Sequence, residues 1–272
     1  MSLEATDALG PTLGLGWWQG ILLGLVQGLT EFLPISSSGH LVLAERLVGF
    51  TPPGLFFEIA VHVATLLSVF IAYRARIGEL VRGMLAGGKE SWRYAGLLLL
   101  ASVPAALAGV LLRDYFEATF HSLPALGWQF LFTAGLLWST RRALPRATGA
   151  KVTATQALLI GVAQAFAIIP AISRSGATIA VALWAGLGAK VAAEFSFILS
   201  ILAIAGSGLL ELRHLPPGTD YFSVGLLGAC VAALLSGIWA IRWLVRLLER
   251  QRFHAFAPYC AALGVLCLIW FW

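Results

Sequence analysis

Two short stretches hold most of the polar chemistry in an otherwise apolar chain. The first runs Gln27-Gly-Leu-Thr-Glu31-Phe-Leu-Pro-Ile-Ser36-Ser37-Ser38-Gly39-His40, and the second Pro170-Ala-Ile-Ser173-Arg174-Ser175-Gly176-Ala-Thr178. Gln27 and Glu31 are four residues apart and share one face of a helix. Each stretch then breaks at a proline and restarts in Ser and Gly. A helix beginning there presents free N–H groups and the positive end of its dipole, which attract an anion. Ser36, Ser37, Ser38, Ser173 and Ser175 add hydroxyl donors. Arg174 offers a planar fork suited to phosphate. Glu31 and His40 beside it are a carboxylate and an imidazole, fit for acid–base chemistry or metal binding. Glu58 and His62 are also one turn apart, and their reading stays open between a packed pair and a supporting role.

These residues must sit in a bilayer. Apolar types make up 59% of the 272 residues and charged types only 11%, against about 25% charged in a soluble domain. Runs such as 55–73 and 222–241 have membrane-spanning length. The net charge of +5 does not form a face for nucleic acid. Most of the 18 cations instead occupy three short breaks, at 74–93, 141–151 and 242–252. That distribution is a topology signal, because cytoplasmic loops retain Lys and Arg. Cys230, Cys260 and Cys267 have neither pairing nor metal-ligand spacing and read as packing residues. Residues 1–16 lack the cation that opens a signal peptide.

The elements that position the two stretches form a repeat. A shift of 137 residues lays Gln27 on Gln164, Ser36 on Ser173, Ser38 on Ser175 and Gly39 on Gly176. The ladder Gly20, Gly24, Gly28 falls on Ala157, Gly161, Ala165, and small residues at this spacing let two helices pack closely. Each unit reads as a helix, a Ser/Gly break, a helix too short to cross, and three long spans. The expectation is an all-α integral membrane protein of one domain. It has two inverted-topology repeats, about 17–141 and 153–272, each a re-entrant helical hairpin plus three transmembrane helices. This count puts the three basic breaks in the cytoplasm, and both termini and the loops near 113–123 and 213–220 outside. The two breaks then meet mid-membrane, with Glu31 and His40 on the hairpin that enters from outside.

The two stretches resemble the paired signatures of the undecaprenyl pyrophosphate phosphatase family, the bacitracin-resistance proteins. Glu194-Phe-Ser-Phe is similar to that family as well, and the likeness in layout covers nearly the whole chain. The resemblance implies hydrolysis of a C55 isoprenyl pyrophosphate to its monophosphate in a bacterial plasma membrane, which recycles the carrier for cell-wall synthesis. It also implies a divalent cation, Mg2+ or Ca2+. By position it makes Glu31, Ser37, His40 and Arg174 catalytic. It places Gln27, Ser36, Ser38, Ser173, Ser175, Gly176 and Thr178 around the substrate and gives Glu31 the metal. A homodimer is one assembly this reading admits. The chain departs from the family pattern twice, with Gln27 where many members carry a second Glu and Ala171 where a Gly is usual after proline.

Three other readings compete. A prenyl-phosphate transporter or flippase would use the same anion site without cleaving a bond. A lipid phosphatase of the phosphatidic-acid type needs a His six residues after its arginine, and Ala180 stands there. A purely structural protein leaves Arg174 and Glu31 without a purpose at membrane depth, where each is costly. For the chemistry, attack by a side chain or by an activated water both fit. The preferred assignment makes Ser37 the nucleophile, with His40 handling the proton and Glu31 supporting the metal or His40.

Overall fold

The computed structural model describes residues 14–50, 56–112, 123–211 and 223–271. The expected loops near 113–123 and 213–220 fall largely outside the described residues, as does most of the N-terminal segment. Among the described residues the regular structure is helical, apart from one bridge between Gly149 and Leu187.

The first hairpin is α1 (Trp17–Phe32) and α2 (Ser37–Val48). Then follow α3 (Phe56–Ala72), α4 (Arg74–Leu85), α5 (Lys89–Leu111) and α6 (Leu123–Ala143), which ends in a short 3-10 turn at Leu144–Arg146. The second hairpin is α7 (Ala154–Phe166) and α8 (Arg174–Trp184). It is followed by α9 (Ala189–Glu211), α10 (Val224–Glu249), a 3-10 turn at Phe253–Phe256 and α11 (Ala257–Phe271).

Four helical segments are long and apolar enough to cross a membrane: α5, α9, α10 and Phe253–Phe271. Counting α3 and α4 as one bent span makes five. Two features differ from the sequence expectation. The first basic break is itself partly helical, since α4 turns by 77° from α3. It buries Leu80 while Arg74 and Arg82 stay solvated, as in a helix lying along an interface. The expected span at 123–140 forms a helix of 21 residues but is not among the segments apolar enough to cross. Its apolar residues are diluted by Gln129, Thr133 and Thr140, all turned into the protein.

The glycine ladder has the role its spacing predicts. A Cβ on Gly20 would collide with the backbone of Gly225, one on Gly24 with Ala229, and one on Gly28 with Ser236 and Ala233. α1 therefore packs against α10 with main chains nearly touching, the gain that small residues give inside a membrane. α7 packs in the same way on α5, with Gly161 against the backbone of Ala101. The core between the hairpins is filled by buried aromatics, among them Phe32 edge-on to Phe197 at 5.7 Å.

Candidate active site

The two hairpin breaks meet. α1 stops at Phe32, two residues before Pro34, and Leu33 is extended, the conformation that a following proline favours. Ser36 caps α2, its hydroxyl accepting from the N–H of Gly39 at 3.4 Å. Ser173 caps α8 likewise, accepting from Gly176 at 3.1 Å. Both are N-caps of ordinary chemistry. The breaks are tied to one another, since the Ser175 hydroxyl donates to the carbonyl of Leu33 at 3.1 Å. They are also tied to α6, where Thr133 donates to the carbonyl of Ala171 at 3.0 Å.

Glu31 lies at the junction with its side chain 5% exposed. Its Oε1 accepts from Nη2 of Arg174 at 2.5 Å. Its Oε2 accepts from the Ser37 hydroxyl at 2.6 Å and from Nε2 of Gln27 at 3.1 Å. A buried carboxylate is costly unless paired and hydrogen-bonded, and both oxygens are provided for. Two polar atoms here stay buried without a partner among the described residues: Nη1 of Arg174 and Oε1 of Gln27. The open donor on Arg174 suits a phosphate oxygen, and the open acceptor on Gln27 suits a cation or a water.

His40 is engaged by groups other than Ser37. Its Nδ1 bonds the carbonyl of Ser36 at 2.7 Å, which makes Nδ1 the protonated nitrogen, and its Nε2 bonds the Tyr259 hydroxyl at 2.6 Å. Both nitrogens are thereby occupied. The group in contact with Ser37 is Glu31.

The remaining residues expected around the substrate are drawn into the frame. Ser36 and Ser38 pair at 3.2 Å, and Ser173 and Ser175 at 3.3 Å. Thr178 donates to the carbonyl of Arg174 at 2.8 Å and pairs with Ser196 at 2.6 Å. Gly176 gives its N–H to the cap.

Two neighbours complete the site. His62 brings Nε2 to 3.5 Å from Oε2 of Glu31, while its Nδ1 bonds the carbonyl of Glu58 at 2.7 Å. Its place one turn after Glu58 was the only signal in the sequence. Tyr259 gave none, because a tyrosine opening an apolar helix reads as an interfacial anchor. Glu194, which opens the Glu194-Phe-Ser-Phe stretch, pairs with Arg76 at 2.8 Å.

Among the described residues no three His, Cys, Asp or Glu side chains are grouped to hold a metal. What the site offers a hard cation is the Glu31 carboxylate and the open Oε1 of Gln27. That set fits an ion that completes its shell with substrate oxygens and water.

Residues 20–266 match the family of the bacitracin resistance protein BacA. The chain belongs to that family. It is 41% identical over 271 residues to the undecaprenyl-diphosphatase of Desulforapulum autotrophicum, covering 93% of this chain and 97% of the relative. It is 41% identical over 265 residues to that of Desulfosudis oleivorans, covering 92% and 97%. With undecaprenyl-diphosphatase 3 of Bacillus cereus the identity is 37% over 258 residues, covering 94% and 97%. Relatives in the bacitracin resistance family named for a hydrolysis favour bond cleavage over the transporter reading.

Proposed function

We propose that this chain hydrolyses undecaprenyl diphosphate to undecaprenyl phosphate and inorganic phosphate, recycling the lipid carrier for cell-wall polymer synthesis and giving bacitracin resistance. The observation that carries the mechanism is Ser37 on Glu31 at 2.6 Å, with Arg174 on the other carboxylate oxygen. Ser37 Oγ attacks the terminal phosphorus while Glu31 Oε2 takes its proton. The bridging P–O bond breaks, and undecaprenyl phosphate leaves with the electron pair. Arg174 Nη1 and the N–H groups opening α2 and α8 hold the phosphoryl oxygens, where charge stabilisation is worth most. Water then attacks the phosphoserine, releases phosphate and restores the serine, with Glu31 returning the proton. In this reading His40 positions the α2 break through Ser36 and Tyr259, and Glu31 replaces it as the proton acceptor. Glu31 and Gln27 would hold a divalent cation, whose chemistry is neutralisation of pyrophosphate charge.

The same reading makes the chain two inverted repeats. Its support is the matched caps at Ser36 and Ser173, and the parallel pairing of α1 with α10 and α7 with α5. It places the chain in the bacterial plasma membrane with the site open to the outer face. Clustering of the basic breaks supports this, with Lys151 on Glu90 at 3.2 Å joining the first two, and Trp138, just before the second, against His254, just after the third, at 6.2 Å. Cysteines at Gly54 and Ser122, both outside the described residues, are expected to react with an impermeant reagent in intact cells, and one at Gly88 is not. A homodimer would show as twice the chain mass in detergent.

Phosphate release from a C55 diphosphate by the purified chain, with and without Mg2+ or Ca2+, tests the function. One phosphate and one undecaprenyl monophosphate per substrate are expected. Movement of the lipid with no phosphate released would overturn the reading.

A further inference from the structure

Two adjoining cavities lie away from Glu31, at the end of the bundle where the basic breaks gather. One, of about 640 Å³, is lined by Gly135, Trp138, Ser139, Arg141 and Arg142. The other, of about 370 Å³, shares Ser139 and Arg142 and extends to Arg146 and Trp184. Positions 135, 138, 139, 142 and 146 recur every three or four residues, so they form one stripe along α6 and the turn that follows it. The stripe faces the C-terminal end of α8. Its floor is open, because a Cβ added at Gly135 would meet nothing within 4 Å.

The charges on this stripe are unspent. Arg76 and Lys151 in neighbouring breaks each hold a carboxylate, at 2.8 and 3.2 Å. Among the described residues no carboxylate pairs with Arg141, Arg142 or Arg146, and Arg141 instead lies over the Trp138 ring at 5.5 Å. The negative end of the α6 dipole gives a cation in the last turn one local reason to be there. It explains neither a groove nor Arg146, which lies beyond the helix. Trp138 and Trp184 are each about half exposed, and tryptophans mark the headgroup level of a bilayer. Basic pockets between helices at this level take phosphate headgroups. The exposed Phe132 on the preceding turn offers apolar surface that a soluble anion cannot use and an acyl chain can.

We propose that this groove binds an anionic phospholipid, with its headgroup phosphate between Arg142 and Arg146 and an acyl chain over Gly135. The site is separate from the hydrolytic one and does not depend on that reading.

Native mass spectrometry of the full chain in detergent, titrated with phosphatidylglycerol or phosphatidylcholine, tests the proposal. The chain is expected to retain phosphatidylglycerol preferentially. Arg142→Gln with Arg146→Gln should weaken that retention by about thirtyfold, from the worth of two cations near a lipid surface. The charge-matched pair Arg246→Gln with Arg250→Gln should leave it intact. Gly135→Leu should weaken it with no change in charge. Phosphate release from undecaprenyl diphosphate by each variant reports that it is folded. Equal retention of the two lipids by the unaltered chain, equal losses in both double variants, or displacement of the lipid by millimolar inorganic phosphate would each overturn the proposal.

Discussion

The two hairpins share a backbone plan and divide the chemistry. Both restart their second helix on a Ser cap that accepts from a glycine three residues on, and both pair that Ser with the Ser two residues on. The offset of 137 that superposes the caps also lays Ser37 on Arg174, so these two residues occupy equivalent first positions of their helices. Around them the side chains diverge. The first hairpin carries Gln27 and Glu31 on one face, and the second carries Gln164 and Ile168. Gln27 uses one end of its amide on Glu31, whereas Gln164 is buried with neither end partnered among the described residues. The turns are also strained at different points, with positive φ at Ser36 (69°) in the first and at Ala171 (56°) in the second. Matched caps thus start the two helices alike, and single substitutions decide which side chain each end carries. Glu31 and Ser37 sit on one hairpin and the Arg174 cation on the other.

That division sets the size of each expected loss. Ser37→Ala should reduce phosphate release by about 10,000-fold or more, as loss of a nucleophile does, while substrate binding stays largely intact; a trapped phosphohistidine would reassign the nucleophile. Arg174→Lys should cost about 100–1000-fold, nearly as much as Arg174→Ala, because a point charge cannot replace a planar fork. Turnover near that of the unaltered chain in Arg174→Lys would remove the forked grip.

The two glutamines sharpen the contrast. Gln27→Leu takes a hydrogen bond from a carboxylate, worth about 1.5–3 kcal/mol, so a fall of about 10–100-fold in turnover is expected. Gln164→Leu should leave turnover unchanged and raise the unfolding midpoint in detergent, since an unpartnered buried amide costs about 1–3 kcal/mol. Equal losses of activity in the two variants would mean that the second hairpin takes part in the chemistry as the first does.

Tyr259→Phe removes one neutral hydrogen bond from His40, and a fall of about two- to tenfold in turnover is expected. A much larger loss would return His40 to the proton path. Ala171→Gly should have the smallest effect. It relieves about 1–2 kcal/mol of left-handed strain but gives up a buried methyl worth about 0.8 kcal/mol and adds chain entropy of about 0.5–1 kcal/mol. The net change in an unfolding titration should stay within about 1 kcal/mol.

Much of this was legible in order along the chain. Membrane residence, the two hairpins and their breaks follow from apolar runs interrupted by Pro, Ser and Gly, because a bilayer tolerates irregular backbone only where protein shelters it. The glycine ladder announced close packing through its period of four. Glu31 and Arg174 were legible because ionisable groups at membrane depth are costly enough to need a reason. Spacing within one helix also gave the Gln27–Glu31 contact.

Partners from distant segments were not legible, since nothing local encodes them. Only the tertiary structure brought His62 to 3.5 Å from Glu31 and Tyr259 to 2.6 Å from His40. Both His40 nitrogens are engaged, and the hydrogen-bond partner of Ser37 is Glu31. Of the hydroxyls expected from sequence around the substrate, Ser175 and Thr178 bond the carbonyls of Leu33 and Arg174, and Ser173 pairs with Ser175. Composition and spacing determined that this chain is a multi-pass membrane protein whose polar chemistry gathers in two breaks. The meeting of the two hairpins decided which side chain faces which, because hydrogen bonds saturate and each polar group has few to give.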